Sequence, residues 1–120
     1  MIPQDWIAHR RGRDKEVLGY LRPVGDRFEP MDLFGRALSE PAEYDDAESL
    51  LEERGLAYLA EPWLLVGNDG SRRRVRIIEV SADEVVVGNY EFGKVVGYDG
   101  NIGDQDRLPV PVPADRLLPD

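Results

Sequence analysis

The chain has 120 residues, no cysteine and a net charge of −9 at pH 7. This length corresponds to a single domain, residues 1–120, and 42% hydrophobic residues are enough to build a core. The lack of cysteine excludes disulfides, thiolate metal sites and thiol catalysis, and it favours a cytoplasmic location. No apolar run approaches the roughly 20 residues of a membrane span. The N-terminal residues also lack the basic and apolar regions of a signal peptide.

The negative charge is concentrated in the middle of the chain. Residues 31–66 contain nine acidic residues and two arginines, a net charge of −7, whereas residues 1–30 carry +1. A negative surface repels nucleic acid and anionic lipid, because both attract cations. The composition therefore predicts no nucleic acid and no membrane among the partners, and the acidic segment is interpreted as a solvated face.

The first predicted β-unit spans residues 6–36. Its long strand covers 16–22, and Gly25 supplies the positive φ of a tight turn before the chain returns. A Phe-Gly-Arg sequence marks the next reversal. His9, the only histidine, has no serine in a Gly-x-Ser-x-Gly elbow to accompany it. We therefore interpret His9 as a solvated residue at a strand end.

One helix is predicted near 45–55, and the glycine at the end of this range favours the left-handed conformation that ends a helix. Asp45 as N-cap and Glu48 three residues later form the pattern of a capping box. Leu50 and Leu51 belong to its apolar face. A helix of under three turns is marginal alone, so this face is expected to be buried against a sheet.

The second predicted β-unit spans residues 63–94. A strand at 63–66 leads through a glycine-rich turn into a hairpin. In the first strand of that hairpin, Ile77 is assigned to one face, and Ile78 and Val80 to the other. This pattern indicates a sheet covered on both sides. The predicted fold class is α+β, mostly antiparallel β, barrel-like or sandwich-like. The predicted shared core is centred on Leu18, Tyr20, Phe28, Ile77, Val80, Val85 and Val87.

The two units resemble each other at a nearly constant offset. Trp6 and Trp63 are 57 residues apart, and Val17 and Val75 are 58 apart, as are the two Phe-Gly pairs. A duplication predicts two similar units linked by the helix, which share one core because each is too small to bury its own apolar face. Chance resemblance between hairpins is the alternative.

The C-terminal tail alternates proline with aliphatic residues from Leu108 to Pro113. An edge strand or a packed extended segment tolerates this pattern, because the missing N–H groups all lie on one edge. Disorder and a proline-rich recognition segment are the alternatives. The acidic run over 99–106 lacks the glycine and the closing glutamate of a calcium-binding loop, so no metal site is predicted.

The candidate binding residues are arginines in two clusters. They are Arg72, Arg74 and Arg76 in the second unit and Arg10, Arg11 and Arg13 in the first. Guanidinium groups bind phosphate and carboxylate bidentately, so two such clusters together could hold an anionic group or an acidic partner. The alternative is structural: the arginine stems cover apolar surface, and the heads reach water or pair with the acidic middle segment.

Four segments of the chain, 6–11, 18–20, 32–36 and 75–81, carry a resemblance. Their sequences are WIAHRR, LGY, DLFGR and VRIIEVS. With these segments the chain resembles a group of short uncharacterised proteins of actinobacteria. The resemblance implies a bacterial cytoplasmic setting. The group has no assigned activity, so no functional residue is carried over.

These observations predict a small cytoplasmic, non-enzymatic binding or interaction module, whose partner is a protein or a second copy of the chain. No catalytic residue and no cofactor are predicted, because the sequence supplies no pair of titratable groups for a catalytic pocket. The alternative is a small-molecule-binding protein or minor enzyme with a site between the two β-units. A deep concave pocket lined by Trp6, Tyr20 or Trp63 would favour this alternative.

Overall fold

The computed structural model describes residues 1–89 and 105–120. In these residues two antiparallel sheets and one α-helix confirm the predicted α+β, mostly antiparallel class. Neither sheet closes on itself, so the fold is sandwich-like and not barrel-like. The elements are β1 (Ile7–Arg10), β2 (Val17–Val24), β3 (Arg27–Met31), α1 (Tyr44–Arg54), a 3-10 helix (Ala57–Ala60), β4 (Trp63–Val66), β5 (Arg72–Val80), β6 (Glu84–Asn89), β7 (Gln105–Pro109) and β8 (Leu117–Pro119).

Each sheet is built on a three-stranded meander. The first sheet has the order β1-β2-β3, and its second turn is tight: Val24 pairs with Arg27, and Gly25 has a φ of 61°. The second sheet has the order β7-β6-β5-β4-β8. Its central meander, β4 to β6, is therefore flanked on both edges by strands from the C-terminal part of the chain.

Each meander contains a β-bulge. In the β1–β2 pair the register shifts after His9 and leaves Leu18 without a partner, and in the β5–β6 pair it shifts after Ile77 and leaves Ile78 without one. An extra residue inverts the alternation beyond it. The predicted facing of β5 is therefore wrong. Ile77 and Val80 both pack against the core, while Ile78 is 41% exposed.

The buried apolar residues form two clusters, and the predicted single core is wrong. The larger cluster joins the second sheet to Phe34 and the C-terminal segment, with Tyr20 packed at its border. The smaller cluster contains Leu18 and Leu51, with Phe28 at its border. The cores separate because α1 covers the first sheet and gives it a packing partner of its own.

Helix α1 begins slightly earlier than predicted. Its N-cap is Glu43, not Asp45, and no side chain donates or accepts a capping hydrogen bond there. Asp45 lies in the first turn, where a negative charge is favourable to the helix dipole. Gly55 ends the helix with a φ of 58°, as predicted. Leu51 is fully buried, whereas Leu50 is half-buried.

The duplication stays a prediction. The two meanders share their strand order, but their pairing registers differ at the offset of 58. Val17 pairs with Arg10, the last residue of β1, whereas Val75 pairs with Trp63, the first residue of β4. Residues 90–94 of the second unit lie outside the part of the chain that the structure describes.

A tight turn over residues 32–36 follows β3 and is stabilised by the buried side chain of its first residue. Asp32 is only 4% exposed, and its Oδ1 accepts hydrogen bonds from the backbone N–H of Phe34 (2.9 Å) and of Arg36 (3.0 Å). Gly35 has a φ of 80°, and a Cβ at this position would lie 2.8 Å from Pro111. Glycine is therefore required both by the turn and by the close approach of the tail.

The tail forms edge strand β7 and then a packed extended segment. Val110 and Val112 are buried, and their N–H groups donate to the carbonyls of Asp83 (3.1 Å) and Phe34 (2.8 Å). Arg36 donates to two carbonyls of the tail, those of Val112 and the next residue. The alternation therefore directs the side chains and the N–H groups of the two valines toward the rest of the protein. This confirms the prediction of a packed extended segment. Residues 99–104 of the acidic run lie outside the described residues.

Candidate functional site: the groove between the sheets

A groove of about 590 Å³ lies between the two sheets. Ala8, Val17 and Tyr20 of the first sheet line one wall, and Ile77 and Val80 of β5 line the other. The segments after β3 and after α1 complete the lining with leucines. The volume falls within the roughly 300–1,000 Å³ of small-molecule sites, and the lining combines nine aliphatic residues with charged and polar ones.

Both β-bulges border this groove. The Arg10–Val17 pair directly follows the first bulge, and Ile78 and Glu79 belong to the second. A bulge bends its strand and redirects the side chains next to it, and bulges are common beside functional sites. The two places where pairing is irregular therefore supply neighbouring parts of the same concave surface.

Three charged residues line the groove: Arg10, Glu16 and Glu79. The Arg10 Nη1 donates a hydrogen bond to the carbonyl of Lys15 at 3.0 Å, which ties the guanidinium to the β1–β2 loop. Among the described residues, no ion pair involves any of the three. The groove thus presents charges that the protein itself leaves unpaired.

Tyr20 contributes the aromatic side chain of the lining. Its ring centroid lies 6.3 Å from that of Trp6, and the residue packs at the border of the larger cluster. Burial raises the pKa of Tyr20, and the positive charge of Arg10 partly opposes this rise, so the phenol is protonated at neutral pH. In the described part of the chain its hydroxyl has no hydrogen-bond partner. It can therefore donate a hydrogen bond to a ligand.

Of the first arginine cluster, only Arg10 lines the groove. Arg11 is held by Asp14 in a bidentate pair, with Nε–Oδ1 and Nη2–Oδ2 distances of 3.1 and 2.7 Å. That contact holds the pKa of the Asp14 carboxyl at about 2, well below its usual value. Arg13 is exposed in the same loop. Of the three guanidinium groups, that of Arg11 is therefore occupied by Asp14, while Arg10 lines the groove and Arg13 is exposed.

The second arginine cluster lies along β5 on the face that points away from the groove, although Arg76 directly precedes Ile77 of the lining. Arg72, Arg74 and Arg76 alternate with Val75 and its core-facing neighbours, so they share the outer face of the sheet. At about 3.4 Å per residue, Arg72 is about 20 Å from Ile78 at the groove. The structure thus does not bring the two clusters together, and anion binding at either one stays a prediction.

The ion pairs of β5 correct one expectation. Arg74 pairs with Asp120 at 2.7 Å, and Arg73 pairs with Asp106. The partners are carboxylates of the C-terminal segment and not of the acidic middle segment. The reason is topological, because β7 and β8 are the strands that complete this sheet.

The interpretation of His9 as solvated is wrong. Its side chain is 14% exposed, with Nδ1 at 3.1 Å from Glu48 Oε2 and Nε2 at 4.0 Å from Glu52 Oε2. His9 pairs with Gly19, where a Cβ would lie only 2.8 Å from Leu51 of α1. The helix therefore packs close to the strand and covers the histidine. The i, i+4 spacing of the two glutamates was the signal that they share one helix face.

Comparison of the chain with protein-family models, with curated proteins and with solved structures finds no match in any of the three. The resemblance to actinobacterial proteins thus stays a prediction. Within residues 1–89 and 105–120, no helix is long and apolar enough to cross a membrane, and no group of three or more histidine or acidic side chains is arranged to hold a metal ion. The groove between the sheets is therefore the feature of the described residues that bears on function.

Proposed function

We propose that this chain is a non-enzymatic binding protein that holds a small, mainly apolar molecule between its two sheets. The observation that carries the proposal is a concavity of about 590 Å³, lined by Tyr20 and by aliphatic side chains from both β-units. An apolar concavity with a few convergent polar groups is the usual form of a small-molecule site.

The lining supports binding better than catalysis. Acid–base catalysis needs titratable groups within hydrogen-bond reach of each other or of one reacting atom. No hydrogen bond or ion pair joins Glu16, Glu79 and Tyr20 in the described residues. The groove offers apolar contacts and charged groups that are not hydrogen-bonded to one another. Such groups can orient a ligand, but they do not form an acid–base pair.

The apolar part of the lining is available to a ligand. Leu59, Ile77 and Val80 are only half-buried, and Ile78 is exposed at the border. Covering about 100 Å² of such surface is worth about 2.5 kcal/mol, and the ligand's own apolar surface adds to this. We therefore expect dissociation constants between about 1 µM and about 1 mM.

A protein partner is the second candidate, and the outer face of β5 favours it. Arg72 and Arg76 are exposed there, with the exposed Ile78 two residues beyond Arg76, and guanidinium groups pair well with acidic side chains. We propose no nucleic-acid partner, because phosphate binding usually recruits several cations on one continuous face. A cytoplasmic location remains a proposal that rests on the lack of cysteine.

Filling the groove tests the proposal. Ala8 is an exposed lining residue of β1, so Ala8→Trp places an indole inside the groove at little cost to the core. Ile7 is the neighbouring exposed residue, and its side chain points to the other face of the strand, so Ile7→Trp is the matched control. The measurement is a titration of ¹⁵N-labelled protein with octan-1-ol, followed by amide chemical shifts.

We expect octan-1-ol to shift the amides of Tyr20 and Ile77 while leaving those around Leu65 unchanged. Ala8→Trp should weaken this binding at least about tenfold because the added ring occupies the site. Ile7→Trp should bind like the unmodified protein. Equal affinities of the two variants, or no shifts at the groove, would contradict the proposal.

A further inference from the structure

We infer that the ligand of the groove is a small amphipathic carboxylate, whose acid group is bound by Arg10 and Tyr20 and whose apolar chain lies between the sheets. The inference rests on the proposed function and names the class of molecule for that same site. Its basis is the juxtaposition of an anchored guanidinium, a phenol without a partner and aliphatic walls.

The first observation is that Arg10 is held in place by an ordered loop. The carbonyl of Lys15, which accepts from Arg10, belongs to a residue with a φ of 63° whose own N–H donates to the Arg11 carbonyl at 2.8 Å. The Arg11 N–H in turn donates to the Glu16 carbonyl at 2.8 Å. One contact uses one of the five guanidinium donors, so donors remain for the bidentate recognition of a carboxylate.

The second observation is the charge of this loop. Residues 10–16 contain four cationic and two acidic side chains, a net charge of +2 in a chain whose net charge is −9. One of the acids, Asp14, is already paired with Arg11. At physiological salt the screening length is about 8 Å, so the loop attracts an anion largely independently of the distant acidic segment.

The third observation is the second donor on the same wall of the groove. Tyr20 pairs with Ala8, two residues before Arg10 on β1, so the side chains of Tyr20 and Arg10 both lie on the groove face of the first sheet. The hydroxyl stays protonated near neutral pH and can donate to a carboxylate oxygen. Val17 of the same wall and Ile77 opposite it then offer contact to an alkyl or aryl chain.

Glu79 on the opposite wall defines the competing ligand class. Its unpaired carboxylate at the second bulge would suit an ammonium group. Glu16 adds a second negative charge, but it lies in the field of Arg11, which lessens its effect. The carboxylate is favoured because the two donors belong to one wall, while the two acids belong to opposite walls.

Three probes of equal chain length separate these classes: octanoate, octan-1-ol and octylamine, each titrated at pH 7 and followed by amide shifts. We expect octanoate to bind about tenfold more tightly than octan-1-ol, and octylamine to bind most weakly. Arg10→Gln should reduce octanoate affinity about tenfold while leaving octan-1-ol affinity unchanged. Arg13→Gln, at an exposed arginine of the same loop, is the matched control: it removes the same charge but no lining residue, so it should lower octanoate affinity much less than Arg10→Gln and leave octan-1-ol affinity unchanged.

Thermal unfolding of both variants shows whether the fold is kept, and Arg10→Lys, which retains the charge but not the planar fork, should fall between wild type and Arg10→Gln. Tighter binding of octylamine than of octanoate, or an unchanged octanoate affinity in Arg10→Gln, overturns the carboxylate inference. The proposed function survives either result as long as octan-1-ol still shifts the groove amides. A failure of all three probes to shift them overturns both.

Discussion

The two apolar clusters of this molecule are stabilised in different ways. The larger one contains internal hydrogen bonds: the Tyr58 hydroxyl accepts from the Leu33 N–H at 3.1 Å, and Trp63 Nε1 donates to the Tyr58 carbonyl at 2.9 Å. The smaller one is aliphatic and depends on the close fit of α1 against Gly19. The sheet that forms one wall of the groove therefore packs on a core with internal side-chain hydrogen bonds, and the sheet that forms the other wall packs on α1 through apolar contacts.

Leu51→Ala tests the smaller cluster and has the largest expected effect. Leu51 is fully buried, and its loss leaves a cavity between α1 and β2. Removing such a side chain costs about 2–5 kcal/mol, measured as the free energy of unfolding in urea. Leu50→Ala, at a half-buried position of the same helix, should cost clearly less. Equal losses in the two variants would contradict the packing described for α1.

Substitution of Asp32 tests the polar anchor beside the larger cluster. Asp32→Ala leaves two buried backbone N–H groups without an acceptor, which should cost about 2–3 kcal/mol in the free energy of unfolding. Burial raises the pKa of Asp32, so its charge is not what stabilises the turn.

Asp32→Asn is the matched control for this anchor, because its amide oxygen accepts the same two hydrogen bonds without a buried charge. We expect its stability to lie within about 1 kcal/mol of the unmodified protein. If the alanine and asparagine variants lost equal stability, the turn would depend on the negative charge and not on the acceptor.

Tyr58→Phe has the smallest expected effect at neutral pH, about 1 kcal/mol, because one hydrogen bond to Leu33 is lost. Burial raises the pKa of Tyr58 to about 12, so the folded state favours the neutral phenol. The stability linked to this group is present below about pH 10 and is lost as the pH rises through 12.

Urea denaturation at several alkaline pH values measures this loss. Tyr58→Phe should be less sensitive to pH above 10, while Tyr44→Phe, at a 41% exposed tyrosine, should follow the unmodified protein. A wild-type curve that ran parallel to that of Tyr58→Phe would show that the Tyr58 phenol ionises as readily in the folded protein as in the unfolded one.

Local signals predicted most of the elements, and long-range contacts decided the rest. The turn at Gly25 and the helix end at Gly55 follow from the backbone preferences of glycine, and both were predicted. The facing of Ile78 and the burial of His9 were not. A bulge depends on the partner strand, and the helix that covers His9 lies about 40 residues further along the chain.

The sequence predicts the location of the candidate site but not most of the residues that line it. A site between the two β-units, lined by Trp6, Tyr20 or Trp63, is one of the two predicted alternatives, and of these three residues Tyr20 lines the groove whereas Trp6 and Trp63 do not. Arg10 is a predicted binding residue because of its charge, whereas no sequence pattern marks Glu79 as a lining residue. Its position in the groove depends on the bulge in β5, and no local pattern in the sequence reports that.

The prolines of the C-terminal strands have a consequence for association between molecules. β7 and β8 form the two edges of the larger sheet, and Pro109 and Pro119 lie at their ends. Proline lacks the donor that an incoming strand would need, and natural proteins use it to protect sheet edges from aggregation. The sheet that supplies one wall of the groove is thus poorly suited to growing by edge-to-edge addition.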